Sequence, residues 1–367
     1  MTTHEPRTPD LPATGRTAAG RRSPDLPTTM RAVTCRRYGP PEVLRVEELP
    51  VPVPKAGEVL LRVGAVSVSR ADAAMRAADP PIARLAAGLR RPRNPVPGAE
   101  LAGEVVALGP DVHGVTVGDR VVGATGIAQG GYAEYARAPA AGLVPVPATM
   151  SDAQAVALVE GGLTALPFLR DGGRVGPGDA VCVNGAAGSV GSAAVQLAVA
   201  FGAQVTAVCS AAGSDLARSL GAHEIVDREA EDVTAGGRAF DVVLDAVGTL
   251  SLRRVRRVLR PGGTYLSTVP SAGILWHTMT AALPGRRRRG RILLTGLRSA
   301  PAKALDQAQL LELAAAGLLR PVLTRSYPLE DVVAAHTHVD SGRKQGTVVL
   351  TPSRGHPGVA SGDPTAR

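Results

Sequence analysis

The sequence predicts an α/β protein in which a β barrel is interrupted by an inserted, doubly wound parallel sheet. From Met30 to about Met150, short apolar strands alternate with Pro-Gly and Gly-Asp turns. From Ser151 onward, strand patterns alternate with helical ones, which is the sequence signature of parallel pairing. After residues 305–316 the strand-and-turn character returns, so the two ends of the ordered chain belong to one domain and the alternating region is inserted in it.

Residues 1–29 are rich in Pro, Thr, Arg and Ala and show neither hydrophobic periodicity nor the apolar stretch of a secretory signal, so disorder is expected. Glu5, Asp10 and Asp25 argue against a transit peptide. The barrel strands are expected at Arg31–Thr34, Val43–Glu47, Val59–Val68, Gly103–Leu108, Arg120–Val122 and Gly142–Val146. Ser151, with Gln154 three residues on, reads as a capping box opening the first long helix. The inserted sheet is expected to use Ala180–Val183, Gln204–Cys209, Glu224–Val226, Asp241–Ala246, Thr264–Thr268 and Ile292–Gly296. A helix over Leu305–Ala316 then leads to strands Pro321–Tyr327 and Gly346–Leu350. The resulting division is a disordered 1–29, a barrel from 30–155 and 317–352, an inserted domain over 156–316, and a frayed tail over 353–367.

The segment AVCVNGAAGSVGSAAVQLAVAFGAQVTAVCS, from Ala180 to Ser210, carries the chemistry. A buried strand is followed by Gly185, Gly188 and Gly191, with Ala186, Ala187, Ser189 and Val190 between them, and then by a helix expected over Ser192–Phe201. Such a turn lets the backbone approach a dinucleotide pyrophosphate, and the free N–H groups of the helix start attract its charge. Ala186 stands where a strict G-x-G-x-x-G has its middle glycine, so the strand–turn–helix–strand context strengthens the assignment. The next strand ends in Cys209-Ser210-Ala211 rather than in the carboxylate that would hold an NAD ribose. Ser210 is therefore compatible with a 2′-phosphate, and Arg218 and Arg228 lie close enough to supply charge. NADPH is expected, with NADH as the alternative.

Composition narrows the field. With 367 residues and 44% hydrophobic but only 2% aromatic content, the chain supports two domains with Ala, Val and Leu cores. Cys35, Cys182 and Cys209 are unpaired in spacing, which excludes a disulfide framework and makes a reduced cytoplasm the expected location. No apolar run reaches a membrane span. The net charge of +9 is spread over separate clusters at Arg90–Arg93, Arg253–Arg257 and Arg286–Arg289, without interleaved aromatics, so solvated surface is favoured over nucleic-acid binding. His336 and His338 are expected on a surface helix, facing different ways. The expected partner is a small-molecule substrate, with no nucleic acid or membrane and with a homodimer as an open expectation.

The stretches MRAVTCRRYGPPEVLRVEELPVP, VPGAELAGEVVALGPDVHGVTVGDRVVG, GGYAEYARAPA, NGAAGSVGSAAVQLA and SGRKQGTVVL together resemble the medium-chain dehydrogenase/reductase superfamily, and most closely its zinc-independent quinone oxidoreductase branch. The resemblance implies a GroES-like barrel with an inserted Rossmann domain. Zinc members hold their metal with a first-segment cysteine and a Gly-His-Glu histidine; here Ser69 and Ala99 stand at those positions, so no metal site is expected. Without a Lewis acid, hydride is better delivered to an already electron-poor carbon, such as a quinone ring or an enone β-carbon. The proton is expected from solvent or a nearby hydroxyl, with Ser69 and Tyr132 the candidates and Tyr132 also a natural packing residue. By the same resemblance Thr164 approaches the nicotinamide half of the cofactor, and Val247 and Thr268 belong to loops beside its ribose. Ala212, Arg228 and Thr347 depart from the branch's usual residues. Two other functions stay open at this level: a noncatalytic dinucleotide sensor, and a pathway-specific alcohol dehydrogenase-like enzyme.

Overall fold

Strand β3 (Glu58–Ser67) is apolar on both faces, and the protein buries both. In a computed structural model describing residues 26–79, 84, 88–279 and 289–352, β3 pairs along one edge with β4 (Glu100–Leu108) and along the other with β6 (Tyr135–Pro139) and β15 (Thr347–Thr351), all antiparallel. The sheet continues through β5 (Arg120–Ala124) to β7 (Val144–Pro145) on one side and ends at β14 (Leu323–Pro328) on the other. A separate hairpin, β1 (Thr29–Cys35) with β2 (Leu44–Pro50), covers the barrel core. The barrel thus takes strands from both ends of the chain.

Between them lies a second sheet of six parallel strands: β8 (Ala180–Asn184), β9 (Gln204–Cys209), β10 (Glu224–Asp227), β11 (Phe240–Asp245), β12 (Leu259–Ser267) and β13 (Arg289–Arg291). Their order is β10-β9-β8-β11-β12-β13, so the chain winds outward in one direction from β8 and then restarts on its other side at β11. This reversal opens a crevice beyond the carboxyl ends of β8 and β11, where doubly wound sheets bind ligands. The fold class is the α/β one expected. The helix Asp152–Pro167 opens on the anticipated Ser151–Gln154 capping box and is buried along most of its length between barrel and parallel sheet.

Several expectations shift. The last parallel strand lies at Arg289–Arg291, not Ile292–Gly296, and Thr295–Leu297 forms a tight turn. The helix after the glycine turn starts at Ser189, a turn earlier than expected. The helix Arg70–Ala77 and strand β6 were not anticipated. His336 corrects the surface-helix expectation, since it is 0% exposed within the helix Val332–Asp340. The Arg76 guanidinium donates to its Nδ1 at 3.0 Å, and the Tyr132 ring meets it edge-on at 5.7 Å. Burial, reinforced by Arg76, pushes His336 down to about 3, so it stays neutral. All three cysteines are buried. The expectations for residues 1–25, 286–288 and 353–367 lie outside the described residues.

Candidate functional site

The glycine turn sits at the topological switch point. Gly185 has φ +81°, and a Cβ there would lie 2.3 Å from Val247 Cγ2; a Cβ on Gly191 would lie 2.0 Å from the Gly185 carbonyl. Both positions therefore require glycine, one for its left-handed backbone and one for close approach. Gly185 and Ala186 donate their N–H groups to the Val208 carbonyl, which pins the turn to β9. Gly188 caps the helix Ser189–Ala200, whose first-turn N–H groups have no intrahelical acceptor. The cradle fits a pyrophosphate through backbone alone.

Opposite the turn, Asp245 at the end of β11 is 0% exposed and organises the neighbouring loop. Its Oδ1 accepts from Asn184 Nδ2 at 2.8 Å and from the N–H groups of Val247 and Gly248 at 3.1 and 2.8 Å. Its Oδ2 accepts from the Leu250 N–H at 2.8 Å and from the Tyr265 hydroxyl at 3.1 Å. Thr268 donates its N–H to the Asp245 carbonyl at 3.0 Å. Gly185, Val247 and Thr268 are thereby gathered at the ends of three adjacent strands. Asn184 and Asp245 were not singled out from the sequence; the signal was a polar residue closing each of two apolar strands.

At the other end of the crevice, Ser210 follows β9 with its hydroxyl free of any capping bond. The Arg228 N–H donates to the Cys209 carbonyl at 2.9 Å, so Arg228, exposed, stands beside Ser210. Arg218 instead pairs with Asp215. Thr164 is half-buried on the helix Asp152–Pro167, one turn beyond Glu160. Glu160 was also missed: its Oε2 accepts from Ser189 and, at 3.0 Å, from Thr347 Oγ1, joining the cofactor helix to the barrel's last strand.

On the barrel side, Ser69 caps the helix Arg70–Ala77 and donates its hydroxyl to Asp72 Oδ2 at 2.7 Å, while its Oγ accepts from the Asp72 N–H at 3.0 Å. Tyr132 is 0% exposed in the barrel core, and its hydroxyl, enclosed beside Asp72, makes no hydrogen bond of normal geometry among the described residues. Burial, with Asp72 adding, holds that phenol well above its ordinary range. Burial also raises Asp72, against the two bonds from Ser69. Glu100, which accepts from Ser67 Oγ at 3.1 Å, is pushed up to about 7 by burial and by the nearby Asp72 and Glu160.

Glu100 makes stability depend on pH. The folded protein keeps its proton up to about 7, whereas an unperturbed glutamate releases it near 4.5, so this group costs stability progressively as pH rises between those values. Glu100→Gln is expected to be more stable than the parent at pH 8 by on the order of 1–2 kcal/mol, and to lose that advantage at pH 4.5. Urea unfolding at both pH values measures it, and an advantage independent of pH refutes it.

The donor set does not fit zinc. Ser69 spends its hydroxyl on a helix cap, Ala99 offers only backbone, and among the described residues no group of three or more His, Cys, Asp or Glu side chains could hold a metal ion. Among the described residues no helix is long and apolar enough to cross a membrane.

Comparison with known proteins agrees with the two-domain α/β fold. Residues 55–148 match the alcohol dehydrogenase GroES-like domain family and residues 220–350 the zinc-binding dehydrogenase family. A chloroplastic quinone oxidoreductase of Triphysaria versicolor is 30% identical over 324 residues, spanning 84% of this chain and 94% of that one. The quinone oxidoreductase of Coxiella burnetii superposes with a TM-score of 0.78 at 29% identity, over 88% of this chain and 99% of the other. A mycobacterial protein solved in complex with NADPH superposes with a TM-score of 0.75 at 28% identity, over 88% and 100% of the two chains.

Proposed function

Because this oxidoreductase belongs to the medium-chain dehydrogenase/reductase superfamily, in its quinone oxidoreductase branch, we propose that it is a zinc-independent, NADPH-dependent reductase of quinones or α,β-unsaturated carbonyls. The supporting observation is a glycine-lined pyrophosphate cradle facing a cleft whose zinc-ligand positions hold a capped serine and an alanine. NADPH, when bound, supplies the hydride. The backbone of Gly185–Gly191 binds the pyrophosphate, including the N–H groups of Ala187, Ser189 and Val190; Ser210 and Arg228 receive the 2′-phosphate. Thr164, Val247 and Thr268 orient the nicotinamide half.

With no Lewis acid to polarise an oxygen, the acceptor carbon must already be electron-poor, which favours conjugated substrates over simple ketones. The barrel and the helix Asp152–Pro167 exclude water from that side. Neither hydroxyl is a free donor, since Ser69 donates to Asp72 at 2.7 Å and Tyr132 is sealed within the core, so solvent entering the cleft supplies the proton.

The test is cofactor consumption with NADPH and NADH against quinones, enones, aldehydes and alcohols. Oxidation of NADPH by quinones or enones is expected. Turnover of alcohols alone, or of nothing in the panel, overturns the reading. The purified protein is further expected to contain no stoichiometric zinc and to keep its activity in chelator; one zinc per chain, with activity lost on removal, refutes this.

A further inference from the structure

A cavity of about 120 Å³ lies between the two domains, away from the glycine turn. Ala124 at the end of β5 and Gly142 form its barrel wall; Leu297, Arg298, Ala300 and Lys303 form the wall from the nucleotide domain. Ala124 is the β-sheet partner of Glu100, and Leu297 belongs to the turn that follows the carboxyl end of β13, the same edge of the parallel sheet on which the glycine turn lies.

Both ionisable residues on its walls are cations, and they differ in how they are compensated. Arg298 contacts Asp306 at 3.0 Å and Asp171 at 3.5 Å, while Arg170 contacts the same two carboxylates at 2.9 and 2.7 Å. Two guanidinium groups thus face two carboxylates, and the quartet is neutral. Lys303 is left over. Its Nζ donates to the Gly296 carbonyl at 3.0 Å, and among the described residues it contacts no carboxylate. Burial pulls its pKa down, with Glu100 opposing from the barrel and Arg298 adding to the fall. A half-buried ammonium with unused N–H donors, in a space lined apart from the compensated Arg298 by small and apolar residues, is stabilised by an incoming anion. Cavities of about 150 Å³ take up a benzene ring, so this one holds a carboxylate with roughly two or three carbons.

We propose that this cavity is a subsite for a carboxylate carried by the substrate, with Lys303 as its counter-ion, so that the enone or quinone reduced here is an acid. This rests on the reductase reading above. The subsite lies beside the Glu100 end of the cleft, which places the acidic group on the side of the reacting carbon away from the pyrophosphate.

The test compares β-acetylacrylate, an enone bearing a carboxylate, with its neutral methyl ester. The ester is intrinsically the more electron-poor acceptor, so chemistry alone would favour it. With the parent protein and NADPH, kcat/KM for the acid is expected to exceed that for the ester by roughly tenfold or more, the scale of one charge-assisted hydrogen bond. Lys303→Met is expected to bring that ratio to about one through the KM of the acid, and Lys303→Arg to retain most of it. Equal kcat/KM values in the parent, a ratio unchanged in Lys303→Met, or the same loss in both variants overturns the subsite and leaves the reductase reading standing. If neither compound oxidises NADPH, the reductase reading fails for these acceptors and calorimetric binding of the acid to the NADPH-loaded protein decides the subsite. Binding that Lys303→Met abolishes sustains it; absent or undiminished binding overturns it.

Discussion

Asp245→Ala is expected to destabilise the protein by roughly 3–5 kcal/mol and to abolish measurable cofactor binding. The carboxylate accepts from the Asn184 side chain, the Tyr265 hydroxyl and the N–H groups of Val247, Gly248 and Leu250. Removing it leaves the N–H groups of Val247, Gly248 and Leu250 without an acceptor at a site that is 0% exposed, while Tyr265 keeps the Leu250 carbonyl at 2.7 Å and Asn184 keeps Thr249 Oγ1 at 2.9 Å. Water entering past Val247, which is 44% exposed, replaces some of these bonds and keeps the cost below their sum. The loop from Ala246 to Thr249 then loses the anchor that sets it against Gly185. A fall in melting temperature of about 10 °C is expected for a domain of this size. Thermal melts and NADPH titration measure the two effects. A variant melting within a couple of degrees of the parent would show that the loop is held by other contacts.

Ser210→Asp is expected to invert cofactor preference. Two charges about 5 Å apart repel by roughly 3 kcal/mol at the effective dielectric of a protein surface, so NADPH binding is expected to weaken by about 100- to 200-fold. NADH gains a ribose hydrogen bond from the same carboxylate and is expected to bind a few-fold more tightly. Arg228 is exposed, which limits its contribution. Arg228→Ala is expected to weaken NADPH by about fivefold and to leave NADH unchanged. Dissociation constants for both cofactors with the parent and the two variants settle the matter. NADH binding the parent as tightly as NADPH would refute the assignment without touching the fold.

The legible parts of the candidate site are those that short segments specify by themselves. Gly185, Gly188 and Gly191 mark a turn because their backbone requirements are local, and Ser210 can be found by counting strands from that turn. The residues that escaped notice act at long range. Glu160 gains its role only when Ser189 and Thr347, 29 and 187 residues further along, are brought to one carboxylate. Lys303 is one cation among many in sequence; its isolation appears only once Arg170, Arg298, Asp171 and Asp306 have neutralised one another.

His336 shows the same division from the other side. A histidine followed by Thr337 and His338 in a short helix carries the pattern of a surface position, and periodicity has no means of registering that Arg76, 260 residues earlier, packs against it. By itself the sequence determined the α/β class, the β barrel divided around a parallel sheet and the place of the glycine turn, because each follows from local periodicity or backbone conformation. Only the tertiary structure decided that Asp245 holds the crevice loop, that the Tyr132 hydroxyl is sealed away, and that Lys303 faces a cavity without a carboxylate partner among the described residues. Those properties depend on which distant side chains share a small volume and how much water remains there, and neither quantity is written in the order of residues along the chain.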